Sequence, residues 1–104
     1  MVQVISSNEE YQRVLQSGKT VIVDWFATWC GPCKAISPVF AQISETIDDI
    51  VFIKVDVDEV PEAAGDADIS AMPTFQVYQD GKKVDELVGA NPAKLKELVM
   101  KYRQ

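Results

Sequence analysis

The chain has 104 residues, 47% of them hydrophobic and 25% charged, the size and balance of one domain with a single core rather than of a disordered tail. Ten basic against sixteen acidic side chains leave a net charge of −6, which argues against nucleic acid or an anionic membrane as the main partner. No stretch nears the ~18 consecutive apolar residues of a membrane span. Met1-Val2-Gln3-Val4-Ile5 lacks a basic segment leading into an apolar one, so a soluble, unexported protein is expected.

Val2 to Ile5 reads as a short first strand. Ser7 followed by Glu10 carries a capping-box signal for a helix with Tyr11, Val14 and Leu15 on its apolar face, and Ser17-Gly18 ends it. Val21 to Ala27 is an apolar, β-branched and aromatic run of strand length, suited to burial on both faces, and Asp24 places a charge inside it. Ile36, Phe40, Ile43 and Ile47 then recur at helical spacing. A helix is therefore expected from about Cys30 to about Thr46, bent at Pro38, where one hydrogen bond is lost.

Ile50 to Val57 reads as a third strand. Val60 to Asp68, interrupted by Gly65 and poor in large apolar residues, is expected to form one or two short helical turns. Thr74 to Gln79 alternates, with Phe75 and Val77 inward and polar neighbours outward; Asp80-Gly81 is a hairpin turn, and Val84 to Val88 is the returning strand. Asn91-Pro92 opens a last helix as N-cap and first residue, with Leu95, Leu98, Val99 and Tyr102 as its buried stripe. The order β-α-β-α-β-α-β-β-α, with a hairpin joining only the last two strands, implies an α/β fold: an open mixed sheet with helices on both faces. Ligands of such sheets gather at the carboxyl ends of strands, and Cys30 follows one.

The two cysteines occur only in Trp29-Cys30-Gly31-Pro32-Cys33-Lys34. Thiols at this spacing can close into a disulfide, reopen, and pass two electrons to another disulfide. Cys30 stands where the helix begins, and the unpaired N–H groups and dipole of a helix N-terminus favour thiolate over thiol. An unperturbed cysteine is only about 3% thiolate at pH 7, so a modest fall in pKa multiplies the reactive form. Cys30 is the expected nucleophile, with Cys33, one turn in and more buried, resolving the mixed disulfide. Pro32 suits the first turn, where no N–H is needed. A purely structural disulfide would contribute little, since closing so short a loop stabilises by ~2 kcal/mol. Half a zinc site is equally unattractive, because the chain has no histidine and no other cysteine. Two thiols in an otherwise cysteine-free chain also suit a reducing compartment. Asp24 is expected to have a raised pKa through burial, and a carboxyl titrating near neutrality beside Cys33 is suited to accept that thiol's proton.

These residues resemble the thioredoxin family over essentially the whole chain. Asp24 to Lys34 is similar to its active-site signature, and Lys54-Val55-Asp56-Val57-Asp58, Ala71-Met72-Pro73-Thr74 and Gly89 fall where the family has them. Ser70 to Thr74 and Val88 to Pro92 resemble fungal cytosolic members in particular. The resemblance implies one thioredoxin domain over 1–104, with a central mixed five-stranded sheet flanked by four helices. It implies a protein disulfide reductase with no bound cofactor and no metal, re-reduced by an NADPH-dependent thioredoxin reductase. Substrates would be disulfide-containing proteins such as peroxiredoxins, methionine sulfoxide reductase and ribonucleotide reductase, met by a cytoplasmic monomer. It assigns proton acceptance to Asp24 with Lys54 as its partner, a cis bond to Pro73 facing the cysteines, and a substrate surface of Trp29, Ala71, Met72, Pro73 and Gly89.

The sequence also departs from the family pattern. Trp25-Phe26 reverses the commoner order, so altered aromatic packing beneath the motif is expected, and Ala35, Ala67 and Asp68 are unusual where they stand. Two other functions stay open: an oxidase or isomerase of the same fold, and a binding module whose docking depends on redox state. Gly31-Pro32 between the cysteines resembles the reductases, whereas oxidases and isomerases usually carry a histidine there.

Overall fold

A computed structural model describes residues 1–104. The elements are β1 (Val2–Ile5), α1 (Asn8–Leu15), β2 (Thr20–Phe26), α2 (Gly31–Thr46), β3 (Ile50–Asp56), α3 (Pro61–Asp66), β4 (Thr74–Gln79), β5 (Lys82–Val88) and α4 (Pro92–Tyr102). They form one sheet in the order β1-β3-β2-β4-β5, so the four-residue β1 and the lysine-led β5 are its edges. β1, β3 and β2 run parallel, whereas β4 and β5 are antiparallel to their neighbours, with a bulge between Val77 and Tyr78. The expected mixed five-stranded sheet with four helices is what forms.

Local signals explain the element ends. The Ser7 hydroxyl accepts from the Glu10 N–H at 3.1 Å, while the Glu10 carboxylate accepts from the Ser6 N–H at 2.8 Å, a capping box whose return bond lands one residue early. Asn91 caps α4 in the same way, accepting from the Lys94 N–H at 3.1 Å. α2 continues through Pro38, whose ring is exposed.

Period-two alternation sorts β2 onto two faces. Val21, Val23 and Trp25 enter a core with Tyr11 and Leu15 of α1 and Ala63 and Ala64 of α3. Ile22 enters the opposite core with Ile36 and Phe40 of α2 and Leu95, Leu98 and Val99 of α4. There Phe40 contacts Phe52 and Phe75 with ring centroids 5.4 and 5.5 Å apart, and such pairs add ~0.5–1.5 kcal/mol each beyond burial.

β4 departs from its expected one-sided pattern. Thr74 through Tyr78 are all buried, because β4 sits between β2 and β5 and helices cover both of its faces. Its polar positions are therefore interior, and Gln76 is fully enclosed. In the reversed Trp25-Phe26 pair, Trp25 packs edge-on against Tyr11 at 5.3 Å on the α1/α3 side, and Phe26 lies against the cysteine cluster.

Candidate functional site

β2 delivers the chain to the start of α2, and Cys30 is the N-cap of that helix: the Cys33 N–H donates to the Cys30 Sγ at 3.2 Å. Cys30 and Cys33 form a disulfide, their Cα atoms 5.3 Å apart. Both are buried, Cys30 at 6% exposure and Cys33 at 3%, so Cys30 is the slightly more open end of the pair. Ala27 packs with them, flanked by Phe26, Val57 and Met72. Gly31 and Pro32 are exposed in the first turn, and a side chain at Gly31 would meet nothing within 4 Å.

The Met72–Pro73 peptide is cis, and the Met72 carbonyl oxygen lies 3.6 Å from the Cys30 Sγ. Pro73 itself is buried, Met72 half-buried and Ala71 exposed. The Gly89 N–H donates to the Pro73 carbonyl at 2.9 Å with the Gly89 φ at +108°, a backbone region few side chains tolerate, which ties the end of β5 to the same loop. Trp29 is 68% exposed, and its indole N–H donates to the Asp58 carboxylate at 3.0 Å. The loop after β3 therefore steadies the most exposed aromatic ring of the site. Nothing local in the sequence marks Asp58 for this contact, since it forms only when the loop after β3 meets the start of α2.

Asp24 is 1% exposed and sits on the β2 face that α2 covers. Burial pushes its carboxyl up to about 7, and the Lys54 ammonium moderates the rise. Its Oδ1 has no hydrogen-bond partner. Lys54 is the register neighbour of Asp24 across β2 and β3, yet it forms no ion pair with it within 4 Å; its ammonium donates to the Ser37 hydroxyl at 2.9 Å and lies 4.5 Å from the centre of the Phe26 ring. Phe26, Ala27, Thr28, Cys33, Lys34, Ser37 and Lys54 line a cleft of about 210 Å³, so water can approach the buried side of the cysteine pair. An openable disulfide thus stands at a positive helix end, and the strand before it carries a buried carboxyl whose pKa is raised to about 7. No group of three or more His, Cys, Asp or Glu side chains is disposed to hold a metal.

The family model described as Thioredoxin matches residues 2–101. The chain is 56% identical to a thioredoxin of Coprinus comatus over 103 residues, covering 97% of each protein. It is 54% identical to thioredoxin-1 of Schizosaccharomyces pombe over 95 residues, 91% of this chain and 92% of that one. The solved Plasmodium falciparum thioredoxin superposes with a TM-score of 0.95 at 48% identity, covering 96% of this chain and 98% of that one. With the Cys30–Cys33 pair at the head of α2, the chain belongs to the thioredoxin family and is a protein dithiol–disulfide oxidoreductase.

Proposed function

We propose that the chain, acting as a single cytoplasmic domain and as a monomer, reduces disulfides of protein substrates and is returned to its dithiol by an NADPH-dependent thioredoxin reductase. The Cys30 thiolate attacks one sulfur of the substrate disulfide, forming a mixed disulfide and expelling the other sulfur as a thiolate. Cys33 then loses its proton to Asp24 and attacks the Cys30 Sγ, which closes the Cys30–Cys33 disulfide and expels the second substrate sulfur as a thiolate that takes up a proton from water, Asp24 giving its own back to solvent. Two electrons have passed to substrate, and the reductase restores them. Lys54 keeps the Asp24 pKa from rising further. Trp29, Ala71, Met72, Pro73 and Gly89 form the face that receives the substrate chain. Peroxiredoxins, methionine sulfoxide reductase and ribonucleotide reductase are the substrate proteins this chemistry suits.

The observation that carries this reading is the disulfide at a helix N-cap with a partnerless buried carboxyl on the covered face of the preceding strand. An equilibrium redox titration against defined thiol/disulfide buffers, followed by Trp fluorescence, tests it. A reversible two-electron transition at strongly reducing potential is expected; a midpoint in the oxidising range would make the protein a disulfide donor instead.

A further inference from the structure

The segment from Ala67 to Pro73 carries the Met72 carbonyl that faces Cys30, yet it belongs to no helix or strand. Its start continues the bonding of α3, the Ala67 N–H donating to the Ala63 carbonyl at 3.0 Å and the Asp68 N–H to the Gly65 carbonyl at 3.1 Å, and beyond Asp68 few hydrogen bonds hold it. The Ile69 N–H donates to the Ala64 carbonyl at 3.1 Å, the Thr74 hydroxyl donates to the Ala71 carbonyl at 2.6 Å, and Gly89 holds the Pro73 carbonyl. At its start Asp68 has a φ of +60°, the left-handed conformation in which helices commonly end, and one neighbour in the sheet ties this turn through the Ala67 carbonyl.

That neighbour is Gln76, whose side chain is sealed in the middle of β4. Its Oε1 accepts from the Trp25 indole N–H at 2.8 Å and from the Tyr78 hydroxyl at 2.7 Å. Its Nε2 donates to the Glu86 carboxylate at 2.9 Å and to the Ala67 carbonyl at 3.3 Å. The amide can make all four contacts in one orientation only, since two neighbours are donors and two are acceptors. Trp25, Tyr78 and Glu86 thus fix the direction of the one N–H that reaches the loop.

We propose that Gln76 is a positioning residue for substrate binding: its carboxamide ties the Ala67 carbonyl to the sheet and thereby keeps the 67–73 segment, with the Met72 carbonyl, in place over Cys30. The inference rests on the protein-disulfide reductase reading above. It separates Gln76 from Trp25, which holds the same amide from the side away from the loop.

The test compares Gln76→Met, which keeps the volume and removes all four bonds, with Trp25→Phe, which leaves the Ala67 bond in place. Both variants are expected to be less stable than the parent. Only Gln76→Met should raise KM for a protein disulfide, by about fivefold or more, with kcat within twofold and the Cys30–Cys33 midpoint potential unchanged. Amide exchange at Ser70, Ala71 and Met72 should quicken in the same variant alone. An equal KM in both variants, or an equal rise in both, overturns the proposal. A second measurement needs no variant: the Gln76 side-chain amide protons of the unaltered protein should exchange slowly in the oxidised form, and fast exchange overturns the proposal too. Failure of the parent protein to reduce any protein disulfide would instead strike the functional reading, which the midpoint potential and the exchange data do not depend on.

Discussion

Asp24 and Trp25 are consecutive in β2, both all but sealed from solvent, and they solve the problem of a buried polar group in opposite ways. On the α1/α3 side, the Trp25 N–H meets an amide oxygen that Tyr78 also reaches, and Tyr11 closes over the ring. Burial, aided by its hydrogen bond to Tyr78, holds the Tyr11 hydroxyl far above its ordinary pKa range, so it stays neutral. On the α2/α4 side, Asp24 Oδ1 finds no partner, and the nearest cation spends its hydrogen bond on Ser37. A satisfied buried network raises no demand for a proton, whereas burial raises the pKa of the unsatisfied carboxyl to about 7. One strand thus carries a satisfied face and an unsatisfied one, and on the reading proposed above the second is the reactive side.

The largest effect that would sharpen this contrast lies on the reactive side. Cys33→Ser should abolish catalytic turnover, by three orders of magnitude or more, while Cys30 still forms a mixed disulfide that mass spectrometry detects as a trapped adduct. Turnover that survives would break the resolving role, whereas partner function that survives while disulfide reduction is abolished would favour a binding module.

Next is Asp24→Asn. A carboxyl whose pKa rises from 3.8 unfolded to about 7 folded binds more protons in the native state between those values, so wild-type stability falls as pH rises through that window. The variant should therefore match the wild type below about pH 4 and exceed it above pH 7 by up to ~4 kcal/mol, an upper figure for about three pKa units. Urea titrations at the two pH extremes measure the gain. Release of the mixed disulfide at neutral pH should slow in the same variant, and unchanged release would remove Asp24 from the chemistry.

On the structural face, Trp25→Phe should lower stability by ~1–3 kcal/mol, from lost volume and a lost buried hydrogen bond, and leave disulfide reduction intact. A fall in kcat matching that of Asp24→Asn would erase the distinction between the two faces. The smallest effect is expected from Lys54→Met. Without the ammonium that lowers it, the Asp24 pKa should climb further above about 7, visible as an upward shift of its side-chain carbonyl titration by NMR.

Much of this division could be read before the fold was seen. Alternation within Val21 to Phe26 separates Asp24 from Trp25, and a lone charge in such a run already signals an unusual pKa. The strand-to-helix switch placed Cys30 at a helix N-terminus by local pattern alone, and the Ser7 and Asn91 caps were equally local. Gln76 was misread as an outward polar residue because its burial depends on β4 lying between β2 and β5, a pairing between residues far apart in sequence. The reach of Lys54 to Ser37 was hidden for the same reason, since β3 and α2 meet only once the sheet has formed. The cis bond at Pro73 came from resemblance, there being no local signal that distinguishes it from other X–Pro bonds.

The two edges of the sheet bear on what happens when such proteins are crowded together. β1 offers four residues of free backbone, too few to template a long partner strand, and β5 opens with Lys82-Lys83 and sets Glu86 between its exposed Val84 and Val88. The bulge at Val77/Tyr78 adds twist where a flat ribbon would be easiest to extend. Both edges thereby work against two copies of the chain joining by backbone pairing.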